Sequence, residues 1–169
     1  AREARILRYD NRKTQGQSAA FVMRTAPPAT ETHMVPQSIK YLGELRCQST
    51  HGPSKVELLT DAPTDNQGRG ESFSPTDLVV TAMATCQVTT MGIVAQRDNV
   101  TLDGTKVYAE KHMNIEGPRR IAKIVIRIDF PAGIPREYRA KLETAARTCP
   151  VARSLHPDVF IDQAFLYPD

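Results

Sequence analysis

The sequence predicts an α+β domain in which antiparallel sheets surround two central helices. Three observations predict it. A long apolar stretch, Leu78 to Ala95, follows a clear helix start; the segment Arg120–Phe130 alternates with a period of two; and a helical segment after Pro135 carries a narrow, alanine-rich apolar stripe. Strand signals flank both helices, giving the order β-β-α-β-β-α-β, in which sheet supports helix.

The elements follow in chain order. Residues 11–38 are rich in Gln, Thr, Ser, Ala and Pro, which suits a linker. Residues 1–38 therefore read as an N-terminal extension, a linker or partly ordered, with Ala19–Met23 able to pair as a short strand. The domain proper occupies residues 39–169. Lys40–Gln48 and Lys55–Thr60 read as strands of a hairpin turned at His51-Gly52-Pro53-Ser54. A loop, Asp61–Ser72, leads to the first helix. There Ser74 is the N-cap, Pro75 the first helical residue, and Asp77 completes a Ser-x-x-Asp capping box at the positive end of the helix dipole. This helix should run to about Arg97.

Gly104–Ile115 and Arg120–Phe130 read as strands joined by Glu116-Gly117-Pro118. In the second, Ile124, Ile126, Ile128 and Phe130 face the core, while Lys123, Val125, Arg127 and Asp129 lie on the face mostly in water. Pro135 opens the second helix, with Tyr138, Leu142, Ala145 and Ala146 inward and the pairs Glu137/Lys141 and Glu143/Arg147 outward. Its alanines permit close packing against the first helix. Pro150 disfavours helical geometry at Cys149, so this helix ends there and a short one restarts; Asp158–Tyr167 is a last strand.

Composition sets the bounds. At 169 residues, 40% hydrophobic and 24% charged, the chain has the make-up of a soluble domain with its own core. The Leu78–Ala95 stretch holds four threonines, Gln87 and a cysteine, and reads as a buried helix, not a membrane span. Ala1-Arg2-Glu3-Ala4-Arg5 leads into no apolar signal region. Three cysteines, an odd number, suit reduced thiols in the cytoplasm better than a secreted disulfide framework. The net charge of +3 is concentrated in residues 1–40, where seven Lys/Arg face three acids. Those charges are dispersed and carry no aromatic interleaving, which fits a solvated extension better than a nucleic-acid arm. Histidines 33, 51, 112 and 156 lack metal-ligand spacing.

The chemistry is concentrated in two cysteines 63 residues apart, Cys86 in the first helix and Cys149 before Pro150. That separation excludes a local CxxC motif, so joint action requires the fold to bring two helices together. Cys86 lies about three turns into its helix, beyond reach of the dipole. By position alone it suits a small core residue; as a nucleophile it would need a cation from elsewhere, for which arginine is best suited. Cys149 precedes a helix N-terminus and is expected to ionise more easily and to be the better leaving group. Cys47, in Leu45-Arg46-Cys47-Gln48, has no partner motif.

Ser74-Pro75-Thr76-Asp77-Leu78 with the Ala/Thr-rich run into Cys86, and Cys149-Pro150-Val151 with Leu155, resemble the OsmC/Ohr family of organic hydroperoxide reductases. Tyr41-Leu42-Gly43-Glu44-Leu45-Arg46 and Thr60-Asp61-Ala62-Pro63 make the OsmC-like branch the closer match, over roughly Lys40–Tyr167. The resemblance implies an intertwined homodimer with active sites at the interface. Cys86 would be the peroxidatic thiol and Cys149 the resolving one, with an external dithiol or lipoyl-type reductant and no cofactor, metal, nucleic acid or membrane. It also implies an activating arginine, for which Arg46 is the better candidate and Arg69 the weaker. The family's partner glutamate falls at Thr76, with Asp77 one residue on, about 100° around the helix. Two other readings stand beside the peroxidase: a non-catalytic module binding a hydrophobic ligand in the cleft, and a nucleic-acid-associated protein using the basic arm.

Overall fold

The computed structural model describes residues 34–168. Residues 1–33, including the strand expected at Ala19–Met23 and most of the extension, lie outside the described residues. A compact unit begins at Pro36.

Its first sheet has three strands, β1 (Gln37–Gly43), β2 (Arg46–His51) and β3 (Glu57–Thr60), paired antiparallel in that order. The strand expected over Lys40–Gln48 is thus two strands. Gly43, Glu44 and Leu45 all take positive φ (89°, 49° and 63°), which reverses the chain, and the Leu45 N–H donates to the Tyr41 hydroxyl at 3.3 Å. Only the glycine advertised this turn, because glutamate and leucine seldom occupy that region. The second hairpin, β2–β3, turns through residues 52–56, close to where the His-Gly-Pro-Ser sequence placed it.

The loop after β3 closes on itself: the Asp61 N–H donates to the Phe73 carbonyl at 3.2 Å and the Gly70 N–H to the Ala62 carbonyl at 3.2 Å. Gly68 is required here, since a Cβ would lie 1.7 Å from the Ala62 oxygen.

Helix α1 (Pro75–Arg97) starts as its sequence dictates. Ser74 accepts from the Asp77 N–H at 3.2 Å, and the Asp77 carboxylate accepts from the Ser74 N–H at 2.8 Å, the reciprocal bonds of a capping box. By length and composition α1 could cross a membrane. Its Val80, Met83, Met91 and Ala95, however, form one side of the core.

The second sheet has strand order β4-β5-β6, from β4 (Lys106–Met113), β5 (Ile121–Asp129) and β6 (Phe160–Leu166). Ile124, Ile126, Ile128 and Phe130 are buried, as the alternation predicts, and so is Val125. β4–β5 is antiparallel, but β5–β6 is parallel, a departure from the purely antiparallel expectation. Helices α2 (Arg136–Arg147) and α3 (Pro150–Ser154) lie between β5 and β6 in the chain, making the crossover that returns it in the same direction. Helix α2 packs on α1, with Leu142 and Ala146 fully buried. Its outer face forms the Glu143–Arg147 pair at 3.2 Å, but not the expected Glu137–Lys141 pair. Lys141 and the Tyr138 hydroxyl both bind Asp98 instead, tying α2 to the end of α1.

Candidate active site

Pro150 holds Cys149 in extended geometry (φ −61°, ψ 150°), and α3 restarts immediately after it. This makes Cys149 an N-cap, its sulfur accepting from the Ala152 N–H at 3.4 Å. Because α3 packs on α1, the Cys149 thiol meets Cys86. Two thiols far apart in the chain therefore stand together, both as free cysteines.

The two differ in environment. Cys149 is fully buried, whereas Cys86 is half-buried. Burial pushes the Cys149 thiol above its ordinary range. The Ala152 N–H pulls the other way, the neighbouring Cys86 adds to the rise, and the smaller pull of the Val151 N–H does not reverse it. The expectation that Cys149 ionises easily is corrected: its short helix supplies donors, but desolvation outweighs them.

Arg46 and Asp77 occupy a second location. Arg46, at the start of β2, pairs with Glu71 and with Asp61 at 3.6 Å; its ionic partners among the described residues are these acids. Arg69 pairs with Glu44 on the exposed surface. Asp77 serves the cap and also accepts from the Lys111 ammonium at 2.5 Å. Burial alone would raise the Asp77 carboxyl, but hydrogen bonds from Lys111 and Ser74, with the Lys111 charge, hold it below the usual value. Thr76 is engaged too, its hydroxyl 2.9 Å from the Lys111 Nζ. Ten residues along α1, about 15 Å at the helical rise, separate Thr76 from Cys86 in the same chain.

In the sequence Asp61 has a place in a family motif but no role in the site, and Lys111 and Glu71 have neither. Lys111 had a signal: it shares the inward face of β4 with Val107 and Ala109, which pack on the core and line cavities beside α1, and a charge there needs a partner. Asp61 had one only once the strands were paired, because continuing the β2–β3 register sets it opposite Arg46. Beside these groups lies a cavity of about 620 Å³ lined by Glu71, Phe73, Asp77, Val80, Ala109 and Lys111.

Comparison with known proteins agrees with this architecture. A profile described as OsmC-like protein matches residues 68–163. A solved structure from Psychrobacter arcticus, ascribed to the osmotic stress induced and detoxification response, is 38% identical over 81% of this chain and 99% of its own, with a TM-score of 0.75. The same fold recurs in an organic hydroperoxide resistance protein OsmC of Legionella pneumophila, at 15% identity, coverage of 79% and 97%, and a TM-score of 0.64. It recurs again in an organic hydroperoxide resistance protein of Elizabethkingia anophelis, at 14% identity, coverage of 83% and 100%, and a TM-score of 0.66. No match to this chain was found among curated proteins. The chain belongs to the OsmC-like family.

Proposed function

We propose that this protein is a cysteine-based peroxidase that reduces organic hydroperoxides to alcohols in the cytoplasm. The meeting of Cys86 and Cys149 across the α1–α3 contact carries the reading. Cys86, the more accessible thiol, attacks as thiolate on the distal peroxide oxygen. The O–O bond breaks, the alkoxide leaves and takes a proton, and Cys86 becomes a sulfenic acid. The Cys149 sulfur then displaces hydroxide, which leaves as water with the thiol proton, and a disulfide forms. An external dithiol returns both cysteines to thiols. Burial suits Cys149 to the resolving role: it stays protonated and away from peroxide until the sulfenic acid forms beside it.

Arg46 supplies the activating cation in this reading, delivered across the interface of a homodimer to the Cys86 of a second copy, since within its own chain it stands apart from the thiols with Asp61 and Glu71; Asp77 supplies the helix cap and the Lys111 pair. An intertwined homodimer is part of the proposal. It is supported by the first sheet, where Ile39, Tyr41 and Val56 are each more than 60% exposed, an apolar surface that a second copy would cover. Sedimentation should give twice the chain mass.

The test is hydroperoxide consumption with dithiothreitol as reductant. The wild type turns over, while Cys86→Ser consumes nothing; equal rates in both would refute the assignment. A second reading, a non-catalytic module holding a hydrophobic ligand, draws on the cavity beside Phe73 and on Thr76 being bound by Lys111. Retention of an apolar ligand in native mass spectra, without peroxide turnover, would favour it.

A further inference from the structure

We infer that Asp61 is the positioning residue for Arg46, taking the part of the acid that is absent at Thr76. The inference rests on the peroxidase reading, in which Arg46 activates the Cys86 of a second copy across the dimer interface. The geometry behind it is local. Continuing the β2–β3 register sets Asp61 directly across from Arg46, with a guanidinium nitrogen 3.6 Å from Oδ2. The Asp61 side chain is wholly buried, and the Glu71 N–H donates to its Oδ2 at 3.0 Å, so its position is fixed by backbone. Two buried atoms of the pair lack a partner: Asp61 Oδ1 and Arg46 Nε. One is an acceptor and the other a donor. A bidentate fork between guanidinium and carboxylate, the geometry arginine favours with an acid, would pair this donor with this acceptor.

Glu71 is the competing acid, and it differs in kind. Its side chain is 57% exposed, so solvent screens its charge and many rotamers are open to it. It can hold Arg46 in place at rest and release it. Asp61 cannot leave, and a carboxylate in that position needs its cation. Thr76, meanwhile, has its hydroxyl committed to Lys111 and Ser74, and offers the arginine no charge.

The experiment follows Cys86 alkylation by iodoacetamide across pH, read by peptide mass, alongside hydroperoxide turnover in Arg46→Ala, Asp61→Asn, Asp61→Glu, Glu71→Gln and the Arg46→Ala/Asp61→Asn double variant. Asp61→Asn should raise the pH of half-maximal alkylation by about one unit, as Arg46→Ala does. The double variant should add nothing further, the signature of two groups acting as one. Asp61→Glu should recover most of the loss, and Glu71→Gln should alter the rate by less than about twofold. The inference is overturned if Arg46→Ala shifts the profile and Asp61→Asn does not, or if Glu71→Gln shifts it as far as Arg46→Ala. If Arg46→Ala itself changes nothing, the cation assignment fails and takes the inference with it, while continued turnover would leave the peroxidase standing. Should Asp61→Asn not fold, Glu71→Gln decides against Arg46→Ala: a Glu71→Gln shift as large as that of Arg46→Ala overturns the inference, and one much smaller sustains it.

Discussion

Replacing Lys111 with methionine removes one ammonium from the start of α1 while keeping most of the apolar stem. The lysine has three N–H donors and meets three acceptors: Ser74 Oγ at 3.2 Å, Thr76 Oγ1 at 2.9 Å and Asp77 Oδ1 at 2.5 Å. Its side chain is 15% exposed, whereas that of Asp77 is 37% exposed. A hydrogen bond to a charged group stabilises by about 1.5–3 kcal/mol when well shielded. Water can reach Asp77 in the variant, and Ser74 keeps its bonds to Asp77, so the expected loss is about 1–2 kcal/mol. For a chain of this length that lowers Tm by about 2–8 °C. Urea unfolding of the two reduced proteins at equal concentration measures it.

The pH dependence has a definite sign. The Asp77 carboxyl is held below its ordinary value of 3.8, so the pair stabilises the fold fully above that value and the contribution fades as pH falls through the folded-state value. The difference between wild type and Lys111→Met should therefore shrink as pH falls below 3.8. A difference below about 0.3 kcal/mol at pH 7, or one just as large in acid, would refute the argument.

Three further outcomes are expected. Cys149→Ser should reduce one equivalent of hydroperoxide and leave Cys86 as sulfenic acid, which a second equivalent, with no resolving thiol beside it, oxidises to sulfinic acid that peptide mass spectra detect. Because burial raises the Cys149 thiol above its ordinary value of 9.0, stability should be intact below that pH and decline as pH rises past it; a Cys149→Ala variant should lack this decline in alkaline denaturation curves. Leu142→Ala empties a fully buried site between α1, α2 and the sheet and should cost about 2–5 kcal/mol in urea unfolding.

The features legible in the sequence were those whose cause is local. Ser74, Pro75 and Asp77 announce a helix start because capping is completed within four residues. The β5 isoleucines announce a buried face because a strand repeats every two residues. Pro150 breaks the helix at Cys149 by its own ring. What escaped depended on distant partners. Lys141 sits four residues after Glu137, but Asp98 offers it a partner shared with Tyr138. Lys111 reaches Asp77 across 34 positions, and β6 runs parallel because two helices precede it. Cys149 misled for a different reason: the sequence shows the helix start that favours its ionisation, but not the burial that opposes it more strongly.

The most direct test of the account is the intact mass of the reduced protein after one equivalent of an organic hydroperoxide. The expected product is a chain two hydrogens lighter, with peptide mapping placing a disulfide between Cys86 and Cys149. An unchanged mass with Cys86 still open to alkylation, or a bridge that involves Cys47 in place of either, would contradict it.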